Sequence, residues 1–143
     1  MDKPLKEVDM AKILVIDDER PTLNMFRLFL NAYGHEVLTA ENGASGLEIF
    51  QQEKPSIVFT DVKMPGMDGL EVVRKIREVD PEVQVIVITG HGDSDLAVQA
   101  SHLQVAAFLN KPISRAALES ALRQAEENLR RTTPNQEKPP SPP

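Results

Sequence analysis

The chain contains no cysteine, which excludes disulfides, thiol nucleophiles and thiolate metal ligands and fits a reducing compartment. Tryptophan is absent and aromatic residues are few, yet the apolar share remains that of a globular protein. A basic excess is missing too. The formal net charge is −6 with no basic cluster to offset it, so direct binding to nucleic acid or to an anionic membrane is not expected. No apolar run approaches the length of a membrane span, and the opening MDKPLKEVDMAK lacks the apolar core of a signal peptide. A Gly-rich loop ending in Gly-Lys-Ser/Thr is likewise absent, which argues against nucleotide hydrolysis. No internal repeat stands out. A soluble cytoplasmic protein is expected.

Within 143 residues there is room for one domain with a real core. Strand-like apolar runs alternate with helical patterns along the chain. The runs are Lys12 to Asp17, His35 to Ala40, Ser56 to Asp61, Val83 to Thr89 and Val105 to Asn110. The first, third and fourth are almost unbroken in Val, Ile, Leu and Phe, as suits parallel strands covered on both faces. The alanines of the fifth would serve a helix equally well.

Helical spacing links Leu23, Phe26, Leu30 and Tyr33, with Gly34 as C-cap. Asn42 is placed to cap a second helix, and Asp68 with Glu71 reads as a capping box opening a third. A fourth helix is centred on Leu96, Ala100 and Leu103, and a fifth carries Leu118, Leu122, Ala125 and Leu129. Residues 1–10 read as a lead-in, 11–131 as the folded domain, and 132–143 as a Pro-rich disordered tail or the start of a linker. Five βα units predict an α/β fold with a doubly wound parallel sheet and helices on both faces. Such sheets bind ligands beyond the carboxyl ends of their strands.

Chemistry gathers at that edge. The first strand ends in Asp17-Asp18-Glu19, the third in Asp61, the fourth in Thr89 and the fifth in Asn110-Lys111-Pro112. Asp17 and Asp18 have two readings, as helix caps or as metal ligands. Three neighbouring carboxylates repel one another, and a hard cation such as Mg²⁺, with its preference for oxygen, would relieve that. Lys111 is either a solvated surface lysine or a contact for a phosphoryl oxygen. Thr89 is either an ordinary strand residue or a hydroxyl donor to an anion. Together the residues suggest phosphoryl chemistry on a carboxylate, with Asp61 as nucleophile.

At this point the stretches ILVIDDE, FTDVKMPGMDGLE, VIVITGHGD and FLNKP, in this order, resemble the receiver domain of two-component response regulators. The likeness covers about Ala11 to Leu129 and implies the flavodoxin-like (βα)5 fold. It implies that Asp61 is the phosphoacceptor, supplied by a sensor histidine kinase or a phosphotransfer protein. Asp18 and Asp61, the backbone carbonyl of Lys63 and, through water, Asp17 would hold Mg²⁺. Thr89, Gly90 and Lys111 would contact the phosphoryl group, Lys111-Pro112 would be a cis peptide, and Thr89 with Phe108 would form the switch pair. Core packing is the other role open to Phe108. Lys63 and His91 stand where the family tunes hydrolysis of the phosphoryl group.

One departure is evident. Gln104 and Val105 stand where the family often has a glycine before the fifth strand. The expected function is a phosphoacceptor switch rather than an enzyme, acting on a downstream protein target that the sequence leaves unknown, with homodimerisation on activation as a possibility. The alternatives are a receiver segment of a longer transcription regulator or hybrid kinase, a phosphorylation-independent interaction domain, and an aspartyl-phosphate phosphohydrolase. The last is disfavoured because neither aspartate stretch has the DxDx[TV] pattern of the haloacid-dehalogenase enzymes.

Overall fold

The computed structural model describes residues 10–64, 66, 68–90 and 94–137, the last helical turns (132–137) and residue 94 by backbone alone. Five strands, β1 (Lys12–Ile16), β2 (Glu36–Ala40), β3 (Ile57–Asp61), β4 (Gln84–Thr89) and β5 (Ala107–Asn110), alternate with five helices. These are α1 (Arg20–Ala32), α2 (Gly43–Glu53), α3 (Gly69–Val79), α4 (Ser94–Ser101) and α5 (Arg115–Glu137). The strands form one parallel sheet in the order β2-β1-β3-β4-β5. This is the doubly wound parallel sheet expected of five βα units, in the flavodoxin-like order that the resemblance implies. The alanine-rich run before Lys111 is a strand, because its backbone pairs with β4.

Alternation along each strand divides the core into two layers. Leu14, Ile16, Val58, Val85 and Val87 face one side, where Phe50, Val72, Val73, Ile76 and Ala100 of α2, α3 and α4 cover them. Ile13, Val15, Ile57, Phe59, Ile86 and Ile88 face the other, against Leu23, Phe26 and Leu30 of α1 and Leu118, Leu122 and Ala125 of α5. The rings of Phe26 and Phe59 lie 5.0 Å apart across this second layer, a favourable aromatic separation.

Local signals set the helix ends. Gly34, at φ +94°, closes α1 in a left-handed conformation, with its N–H on Asn31 and that of His35 on Leu30. Tyr33 at that end is exposed rather than part of the core stripe, and its hydroxyl reaches Glu119. Asn42 caps α2 by accepting the Ser45 N–H at 2.8 Å. Asp68 caps α3 through Leu70 N–H, but the reciprocal half of a capping box does not form. The Glu71 carboxylate instead pairs with Arg74 and Lys75 one turn on. The backbone of α5 continues to Glu137, past the boundary drawn at 131. Extending an existing helix adds one bond per residue fixed, Pro134 excepted because it has no N–H, and needs no apolar face.

The family-glycine position is resolved differently here. Gln104 itself adopts the left-handed conformation, φ +60°, which is unfavourable for a residue with a Cβ. Arg77 of α3 compensates. Its guanidinium donates to the carbonyls of Leu103, Gln104, Pro81 and Val83, binding the α4–β5 turn to the end of α3. Burial lowers the Arg77 pKa from its ordinary value, with the Asp80 charge opposing.

Candidate functional site

The strand order reverses around β1 and β3, so their carboxyl ends border the crevice where doubly wound sheets bind ligands. Asp61 is the last residue of β3 and only 5% exposed. Its Oδ1 accepts the Lys63 N–H at 3.1 Å and its Oδ2 accepts Lys111 Nζ at 3.0 Å. The start of α3 is pressed against this strand end. A Cβ on Gly69 would lie 2.2 Å from the Asp61 carbonyl oxygen and 2.4 Å from Val62 Cα, so only glycine permits the approach.

Asp17 follows β1 and is fully buried. Its Oδ1 accepts the Glu19 N–H at 2.8 Å, a local turn rather than a helix cap. The N-cap of α1 is Glu19, which makes no side-chain capping bond. Asp17 Oδ2 is buried without a hydrogen bond of good geometry, although Lys111 Nζ lies 3.1 Å away. Burial pushes the Asp17 carboxyl up to about 6, against the Glu19 N–H and Lys111, and the Asp61 charge adds to the rise. Oxygens of Asp17, Asp18 and Asp61 all lie within 4.8 Å of one another. This oxygen-only trio, with a buried acceptor left over, suits a hard divalent cation.

Lys111 completes the cluster. Its Nζ stands 3.0–3.1 Å from carboxylate oxygens of Asp17, Glu19 and Asp61. Burial alone would depress the Lys111 pKa, but hydrogen bonds to Asp61 and Glu19 and the nearby Asp17 carboxylate outweigh it and the pKa is raised. The Lys111 partnership in turn holds the exposed Glu19 carboxyl below its ordinary value. The Lys111-Pro112 peptide is cis. Sequence reasoning quoted Glu19 but gave it no role. Its signal is being the third acid of the Asp-Asp-Glu run, immediately ahead of the helix.

Thr89 ends β4 and is buried. Its hydroxyl donates to Asn110 Oδ1 at 2.7 Å, with the Leu109 carbonyl farther off at 3.4 Å. Asn110 was the other residue given no role, although it is the cross-strand register partner of Thr89. Phe108 lies two residues earlier on β5 and is 40% exposed, so core packing does not account for it. Gly90 borders an open groove of about 560 Å³ that runs from the Lys111 side chain along α1, past Pro21, Thr22, Met25 and Ile113. Lys63 lines the Asp61 side through its backbone, with its side chain exposed. His91 lies outside the described residues.

Comparison with known proteins agrees with this fold. A family model, the response regulator receiver domain, matches residues 13–123. The transcriptional regulatory protein GlrR of Escherichia coli K12 is 38% identical over 112 residues, 78% of this chain and 25% of that protein. The sporulation initiation phosphotransferase F of Bacillus subtilis is 32% identical over 101 residues, 71% of this chain and 82% of its own length. A receiver domain protein from Clostridium thermocellum superposes with a TM-score of 0.80 at 38% identity, covering 88% of this chain and 99% of that one. The chain spans only a quarter to a third of several of its transcription-regulator relatives. Among the described residues no helix is long and apolar enough to cross a membrane.

Proposed function

The chain belongs to the response regulator receiver domain family, and from that premise we propose that Asp61 is its phosphoacceptor and that the phosphoryl group resets the surface formed by α4, β5 and α5. The observation that carries this reading is the setting of Asp61: a carboxylate at the end of a buried strand, bonded to Lys111 and flanked by Asp17 and Asp18.

In the proposed reaction a carboxylate oxygen of Asp61 attacks the phosphorus of a phosphohistidine on a sensor kinase or phosphotransfer protein. The P–N bond breaks, the imidazole leaves, and an aspartyl phosphate remains. The groove along α1 gives the donor a route to the site. Asp18, Asp61 and the Lys63 carbonyl, with Asp17 behind them, would hold Mg²⁺, which would supply charge to offset the transferring oxygens. Lys111 is already within bonding reach of Asp61 and would hold a phosphoryl oxygen without leaving the cluster. The small Gly90 leaves room beside Thr89, whose hydroxyl would turn to a phosphoryl oxygen while Phe108 packs inward. Phosphorylation would then bias a two-state element through one local contact.

Intact mass after incubation with acetyl phosphate tests this directly. A Mg²⁺-dependent gain of one phosphoryl group is expected, absent in Asp61→Asn. No gain by folded protein would remove the reading, and sustained release of phosphate with turnover would point to a hydrolase. We also assign Lys63 and His91 to tuning hydrolysis of the phosphoryl group, Lys63 by slowing water's access to it. Lys63→Ala is expected to lose phosphate faster than wild type, and an unchanged rate would overturn that role. Relatives of differing length leave two settings for the switch, a stand-alone receiver like the sporulation phosphotransferase or one segment of a transcription regulator. The size of the native gene product distinguishes them.

A further inference from the structure

On the phosphoacceptor reading, we infer that Asn110 is a latch that holds the Thr89 hydroxyl in its resting position and so sets how readily the switch turns over. The two residues face each other directly, Thr89 on β4 and Asn110 on β5 in parallel register, and the hydroxyl donates to Asn110 Oδ1 at 2.7 Å. Phe108 stands opposite Val87, two residues back along the same pair of strands. Side chains two apart share a sheet face, so Thr89, Asn110 and Phe108 all lie on the side that carries α4.

A threonine hydroxyl has one proton to donate. While that proton is committed to Asn110 it cannot serve a phosphoryl oxygen on Asp61. Turning Thr89 toward the site therefore breaks the Asn110 contact, and the exposed Asn110 amide is left to water. The Leu109 carbonyl, at 3.4 Å, is a poor substitute acceptor. An apolar or methyl side chain at 110 would leave the resting hydroxyl without its short partner. The net worth of one neutral hydrogen bond corresponds to a shift of about two- to tenfold in the resting-to-active equilibrium.

Asn110 is thus a positioning residue for the switch, acting through Thr89. Its place beside Lys111 in the chain means that the strand end carrying the phosphoryl contact also carries the restraint on the hydroxyl.

The experiment is titration with beryllofluoride, a mimic of a phosphoryl group on a carboxylate, in the presence of Mg²⁺. The proteins are wild type, Asn110→Ala, Asn110→Leu, Thr89→Val and the Thr89→Val/Asn110→Ala double variant. Apparent affinity scales with the fraction of protein already competent. Asn110→Ala and Asn110→Leu are expected to bind about two- to tenfold more tightly than wild type, and the Asn110→Ala effect is expected to vanish in the Thr89→Val background. Equal affinity in the Asn110 variants, shown to be folded by thermal unfolding, would overturn the latch. So would a gain of the same size without the Thr89 hydroxyl. If wild type binds no beryllofluoride at all, matching Asp61→Asn, the phosphoacceptor reading itself fails and the latch goes with it.

Discussion

The two sides of the sheet are built to different standards. β3 is buried along its whole length, packed between helices on both faces, and ends in Asp61 held from three directions. β5 has four residues at the sheet's edge, with Phe108 40% exposed. The adjoining α4 is eight residues long and leaves Val98 60% exposed. Close packing makes the chemical half a fixed frame, whereas few buried contacts place the other half at the low-stability end of the molecule. The lesson is a division of labour. On the proposed function, a phosphoryl group would arrive where nothing yields, and its effect would be felt where little resists.

Substitutions of similar kind should therefore cost very different amounts on the two sides. Phe59→Ala, in β3, is expected to destabilise by about 3–5 kcal/mol, measured by denaturant unfolding. A loss below ~1 kcal/mol would break the contrast.

Next in size is Asp17→Asn. The folded-state pKa of Asp17 is raised from 3.8 to about 6, so the folded protein binds this proton more tightly than the unfolded chain does. Stability from this group is greatest below pH 4, falls as pH rises from about 4 to 6, and stays low above. The amide variant is free of that penalty. In chelator it should be about 2–3 kcal/mol more stable than wild type at pH 7, and equal to it near pH 4. Added Mg²⁺ should raise the wild-type Tm more than that of the variant, which keeps Asp18 and Asp61. A stability gap independent of pH would refute the assignment.

Arg77→Met removes the donors to four backbone carbonyls and is expected to cost about 1–3 kcal/mol. Its signature is local: faster amide exchange in α4 and β5 with β1 and β3 unchanged. Gln104→Gly should act in the opposite direction, stabilising by about 1 kcal/mol through relief of the left-handed backbone. The smallest effect belongs to Phe108→Ala, expected to stay within about 1 kcal/mol of wild type. A cost approaching that of Phe59→Ala would show the edge to be as firmly packed as the centre.

The sequence made most of this frame legible because strand and helix signals are local. The continuous apolar runs of β1, β3 and β4 reflect burial on both faces, and Gly34, Asn42 and Asp68 mark helix ends through their own backbone geometry. The site residues Asp17, Asp18, Asp61, Thr89 and Lys111 could be gathered from strand ends alone, since parallel topology brings every such end to one edge. What stayed hidden depends on register between distant segments. The Thr89–Asn110 bond needs the pairing of β4 with β5, and the Arg77 clasp on Leu103 and Gln104 needs the packing of α3 against the α4–β5 turn. His35 is a further case: its buried ring accepts the Ala11 N–H and lies 3.4 Å from Glu126 of α5, none of which its place before β2 announces. The capping box at Asp68 failed for a simpler reason, because Glu71 had cationic neighbours one turn away on its own helix.

The close seat of Gly69 against the Asp61 carbonyl has a consequence for how this protein would score in a mutational library. Selected for abundance alone, with no signal to transmit, position 61 should accept small polar residues, since losing its two hydrogen bonds is offset by relief of its repulsion with Asp17. Position 69 should accept none. Its intolerance would look like that of a reactive group although it carries no functional atom at all. The most constrained residue near the proposed phosphoacceptor is thus the one whose whole contribution is to be missing a side chain.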